Sequence, residues 1–149
     1  MKKALLLLLL AVATVPGMGQ KPAKSVESEI SGLLQQQTAS WNNHDLEGFM
    51  SGYWKSPDLT FFSGATATKG WEPTLERYRQ RYQANGAAMG KLEFSELVIE
   101  PLGSSSAFVR GHWQLTMPDG KQPHGLFTLV LRRFPEGWRI IHDHSSGEN

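Results

Sequence analysis

LEFSELVIEPL (92–102), SSAFVRGHWQLTM (105–117), QPHGLFTLVLRRF (122–134) and GWRIIHDHSS (137–146) follow one another almost without a gap, and their reading decides the fold. In each run apolar and polar residues alternate with a period near two, the mark of a strand. The joints between them, GSS, MPDGK and PEG, carry the glycine and proline chemistry of hairpin turns. Four such runs in succession predict an antiparallel meander.

Upstream the period is helical. Val26, Ile30, Leu33, Leu34 and Trp41 share one helix face, with Ser25 placed to cap it. NNHD at 42–45 interrupts the pattern, because Asn and Asp compete for helical backbone bonds. A short helix follows with Leu46, Phe49, Met50 and Tyr53 on one side, stopped by Pro57. DLTFFSG (58–64) reads as a strand and ATATKG (65–70) as a hairpin arm. Trp71, Leu75, Tyr78 and Tyr82 return to helical spacing, with Pro73 in the tolerant first turn. The order α-α-β-β-α-β-β-β-β predicts an α+β fold, a cone-shaped barrel with N-terminal helices packed on a strongly curved antiparallel sheet. Such a cone leaves a pocket between sheet and helices.

Residues 1–19 read as a signal peptide, with Lys2 and Lys3 before an apolar run too short to span a membrane well. Cleavage before Gln20 is expected, with Ala11 and Ala13 offering a second site. Residues 20–25 then form a flexible leader, 26–146 the domain and 147–149 a tail. The protein is expected to be exported, periplasmic or secreted, with no stable membrane insertion after cleavage. The absence of cysteine excludes disulfides, thiolate metal sites and a cysteine nucleophile. A formal net charge of +1 and short basic clusters argue against nucleic acid as a partner. No Gly-rich phosphate loop or nucleophile elbow is present, so neither nucleotide binding nor acyl transfer is expected.

The segments SWNNHDLEGFMSGYW, DLTFFSG, KGW and the closing GWRIIHDHSS resemble the SnoaL-like branch of the nuclear transport factor 2-like superfamily. The final strand also resembles the association domain of calcium/calmodulin-dependent protein kinase II. The resemblance covers about residues 26–146 and implies the cone fold. It leaves activity open, since the superfamily includes isomerases, cyclases, dehydratases and oligomerisation hubs.

Alternation assigns the strand faces. In the last strand Trp138, Ile140, His142 and His144 share a face that runs from apolar to polar, as a cone wall would. Phe108, Arg110, His112 and Gln114 share a face of the 105–117 strand, and the cost of burying an unpaired cation suggests that this face lines an open cavity. The expected ligand-binding residues are therefore Arg110 and His112 on the sheet, with Trp41, Phe49, Trp54 and Tyr78 from the helical side. The expected catalytic candidates are His144 and His142, which titrate near neutrality, and Tyr53 as hydrogen-bond donor. No metal is expected, because His142 and His144 find too few companions, and no cofactor is expected.

Three functions remain open: binding of a small anionic or carbonyl-bearing organic ligand; isomerase, cyclase or dehydratase chemistry with histidine as general acid/base; and a hub-like oligomerisation role. A homodimer is expected through the outer face of the sheet, built from Trp113, Leu115, Phe127, Leu129 and Leu131.

Overall fold

The computed structural model describes residues 24–84 and 86–147. The signal peptide, most of the leader and the last two residues of the tail lie outside the described residues. Among the described residues, three helices, α1 (Val26–Asn42), α2 (Leu46–Met50) and α3 (Trp71–Tyr82), accompany six strands, β1 (Thr60–Ser63), β2 (Thr66–Lys69), β3 (Lys91–Pro101), β4 (Ser106–Thr116), β5 (His124–Phe134) and β6 (Gly137–Ser145). The element order is the one read from the sequence. The architecture is α+β, with the helices on one face of a six-stranded sheet of order β2-β1-β6-β5-β4-β3 that does not close.

Local signals explain the helices. Ser25 caps α1 by accepting from the Ser28 amide at 3.2 Å. Ile30, Leu34, Gln37 and Trp41 form its buried stripe. His44, in the left-handed region at φ 60°, turns the chain toward α2, where Asp45 accepts from the Gly48 amide. Tyr53 lies beyond α2, not within it, and forms a parallel bridge to Ile140. Asn42 works across the layers: its amide accepts from the Leu92 amide at 2.7 Å and donates to the Leu92 carbonyl at 3.1 Å, tying the end of α1 to the start of β3.

The meander pairs as its turns require, β3 with β4, β4 with β5 and β5 with β6, all antiparallel. The exception in the sheet is β1, which runs parallel to β6 with Thr60 opposite His142. The helices cover the sheet face carrying Ala107, Val109, Leu115, Phe127, Leu129, Leu131, Trp138 and Ile140, all buried.

That placement overturns two expectations. Leu115, Phe127, Leu129 and Leu131 are core, not an outer docking row, and Trp113 is half-buried against them. Arg110 and His112 project from the opposite face, where Arg110 donates to Glu100 at 2.5 Å and His112 lies 3.4 Å from Glu96. The cause is desolvation: an apolar face packs under the helices without penalty, whereas a cation and an imidazole find water and carboxylates outside.

The third correction is a phase reversal in β6. Leu131 faces Ile140, but Val130 faces His142, so Ile141 is an extra residue in a β-bulge. Trp138 and Ile140 point inward as expected. Beyond the bulge the inward residues are Asp143 and Ser145, and His142 and His144 turn to the outer face. There the Thr60 hydroxyl lies 2.6 Å from His142 Nδ1, and Phe62 packs edge-on against both imidazoles.

Candidate ligand-binding site

A cavity of about 430 Å³ opens between the helices and the inner sheet face. Its walls are largely aromatic. Trp41 reaches it from α1, its indole N–H held by the Met89 and Gly90 carbonyls at 3.2 Å. Phe49 and Tyr78 meet the Trp41 ring edge-on at 5.1 and 5.9 Å. Phe61, Phe94 and Phe127 line it from the strands. Edge-to-face packing of this kind fixes the rings before any ligand arrives.

Among the described residues, one carboxyl lines the cavity, that of Asp143, which is 4 % exposed. The Tyr53 hydroxyl donates to its Oδ2 at 2.7 Å, and the Ser145 hydroxyl donates to its Oδ1 at 3.0 Å. Burial raises the Asp143 pKa from 3.8 to about 6, against the opposing pull of those two hydrogen bonds. Burial, followed by the charge of Asp143, pushes the Tyr53 phenol well above its ordinary value, and Tyr78 is raised by the same two causes. Near neutrality the pair is thus a phenol that stays protonated beside a carboxyl able to take up or release a proton.

The mouth is polar. Ser63, Gly64 and Thr66 from the β1–β2 turn, Arg77 and Arg81 from α3, and Ser145 to Gly147 at the end of β6 surround it. The Trp113 indole donates to the Ser146 carbonyl at 2.8 Å and anchors that last segment. Gly125 is required beneath it: a Cβ there would lie 2.0 Å from the Ser146 carbonyl oxygen.

Of the expected site residues, the structure brings Trp41, Phe49, Tyr53 and Tyr78 together around the cavity. It leaves Arg110, His112, His142 and His144 on the other side of the sheet. Trp54 is also absent from the lining and instead stacks on Phe134 at 5.6 Å. Burial lowers the His142 pKa, with a smaller effect from His144, but neither ring reaches the cavity. Among the described residues, no three His, Asp or Glu side chains gather as a metal site would require. Residues missed by sequence reading include Asp143, Ser145, Phe61, Arg77 and Arg81. The arginines had a visible signal, since their four-residue spacing matches that of Tyr78 and Tyr82 on the same helix. The adjacent Ile140 and Ile141, which break the alternation of β6, were the signal for Asp143.

The fold has solved relatives. The chain belongs to the SnoaL-like domain family, whose model matches residues 30–147. A solved NTF-2 like protein of unknown function from Shewanella oneidensis is 34% identical and superposes with a TM-score of 0.75 over 80% of this chain and 98% of its own. An NTF2-like superfamily protein from Salmonella enterica shares the fold at 22% identity and a TM-score of 0.69, covering 83% of this chain and 92% of its own. So does a Thiobacillus denitrificans protein described provisionally as a calcium/calmodulin-dependent protein kinase type II association domain, at 20% identity and a TM-score of 0.66, covering 80% and 94%. Among curated proteins, none matches the sequence.

Proposed function

We propose that this is an exported small-molecule-binding protein whose cavity takes an organic ligand with an apolar body and a carbonyl or hydroxyl directed at Tyr53 and Asp143. The observation that carries this reading is the buried Asp143–Tyr53 hydrogen bond on the wall of a cavity whose apolar lining is mainly aromatic. A few convergent polar groups in an apolar hollow are what orient a small ligand. Binding of planar ketones and phenols is tested by calorimetric titration of the wild type and Tyr53→Phe. Equal affinity for ligands with and without the polar group would refute it.

A second reading is proton transfer, as in an isomerase, cyclase or dehydratase. It is favoured by the pKa of Asp143 near 6, which suits a general base better than an ordinary carboxylate does. Asp143 would accept the proton from carbon next to a carbonyl, and the Tyr53 O–H, which donates to Asp143 while it is charged, would turn to the developing oxyanion as Asp143 becomes protonated. Exchange of those substrate protons with deuterium oxide, followed by NMR, tests it. Exchange that survives Asp143→Asn would sink it.

Export is supported by Lys2, Lys3 and the leucine run, and is tested by mass spectrometry for a chain beginning near Gln20. The homodimer remains part of the proposal on a different set of residues. Phe62 and Leu126, 37% and 53% exposed, stand on the outer sheet face with the half-buried Phe108 and Val130. A second copy would cover this face about a twofold axis.

A further inference from the structure

Arg77 and Arg81 lie one turn apart on α3, and both line the mouth of the cavity. Their surroundings differ from those of Arg79 between them, which points away and donates to Glu47 at 2.6 Å. Arg77 is half-buried, yet its hydrogen bond is a long one, 3.3 Å to the Thr68 hydroxyl, and its guanidinium stands 5.6 Å from the Phe61 ring. Arg81 stands 5.5 Å from the Tyr82 ring. Among the described residues, no carboxylate lies within ion-pair distance of either. Each guanidinium carries five N–H donors in a planar fork that matches a carboxylate, and stacking on a ring keeps that fork oriented.

We infer that Arg77 and Arg81 form an anion clamp, and that the ligand is an organic acid with its carboxylate at the two arginines and a carbonyl or hydroxyl at the Tyr53–Asp143 pair. This rests on the cavity's being the binding site, as proposed above. Orientation follows from the charges. An ionised ligand placed the other way round would bring its carboxylate against Asp143, where like charges in an apolar setting repel. Placed with its acid outward, it satisfies two cations that have no acidic partner among the described residues and leaves a neutral polar group for Tyr53 and Asp143. The aromatic walls, Trp41, Phe61 and Phe94 among them, suit a flat apolar body between the two ends.

The test uses three probes of one shape: 6-hydroxy-2-naphthoate, its neutral amide 6-hydroxy-2-naphthamide, and 2-naphthol. Affinities are measured by calorimetry for the wild type, Arg77→Gln/Arg81→Gln and Arg79→Gln. The expected result is that the carboxylate binds about tenfold more tightly than the amide, as for a charge-assisted contact discounted for solvent. The double variant should lose that preference while holding the amide as before, and Arg79→Gln should behave as wild type. Because Arg81 is exposed, Arg81→Gln alone carries the same comparison should the double variant fail to fold. Probes that bind without preference for the acid, or an equal loss for acid and amide in the double variant, would overturn the clamp and leave the cavity reading intact. Failure of all three probes to bind the wild type would overturn both.

Discussion

Replacing Asp143 with asparagine keeps the shape of the side chain and its ability to accept from Tyr53, and removes its negative charge. A carboxyl with a raised folded-state pKa holds its proton more tightly in the folded chain than in the unfolded one. Stability is therefore greatest below the unfolded value and falls as pH rises from about 4 through about 6, where folded Asp143 ionises. Moving that group from 3.8 to about 6 corresponds to about 3 kcal/mol of lost stability once the carboxylate is fully charged. Asp143→Asn avoids this loss, less what is forfeited because an amide nitrogen replaces the oxygen that accepts from the Ser145 hydroxyl. The variant should thus be more stable than wild type by about 1–3 kcal/mol at about pH 7.5, with the gap closing toward about pH 4. Urea unfolding of both proteins across that range measures it, and taking the difference between them cancels the other titrating groups. A variant less stable than wild type near neutrality, or a gap that does not shrink on acidification, would refute the reasoning. Stability gained by discharging one side chain would mark that charge as kept for use, not for folding.

Tyr53→Phe removes a hydrogen bond that holds the Asp143 pKa down, so the carboxyl should titrate above about 6 in a carbon-detected NMR experiment; a lower midpoint would contradict the assigned donor. Leu129→Glu buries a charge in the core and should cost about 3 kcal/mol or more in thermal or urea unfolding. Val130→Glu, one residue along on the outer face, should leave folding intact and reduce self-association in light scattering. Gly125→Ala should push the Ser146–Gly147 segment off its seat and speed hydrogen exchange at the Trp113 indole, because the added carbon has no room.

The helical half of the cavity was legible because a helix face follows from spacing alone. Trp41, Phe49 and Tyr78 needed no knowledge of the sheet. The strands were legible as strands, and their turns as turns. What alternation does not carry is which of two faces lies inward, and Arg110 was misplaced for that reason: a cation opposite an apolar row fits a wet cavity or open solvent equally well. His142 and His144 were lost to a different cause. A single extra residue, Ile141, inverts everything beyond it, and a bulge leaves only a doubled apolar pair in the sequence. Arg77 and Arg81 read in the sequence as part of a basic cluster too short for nucleic acid, and spacing alone did not say where α3 aims them.

The place of β6 in the sheet also governs when the protein can become itself. The strand lies between β5, its neighbour in sequence, and β1, whose Thr60 pairs with His142 from the far side of the chain. During synthesis the β1–β2 hairpin is made early and has no sheet to join until residues 137–145 emerge. That wait exposes Phe61 and Phe62 to water and to other chains, and it places a long-range pairing at the end of folding, where loop closure is slow. The same insertion delivers Asp143. The completion of the sheet and the arrival of the acid in its cavity are a single event, so a chain that stalls short of β6 has neither a finished core nor a site.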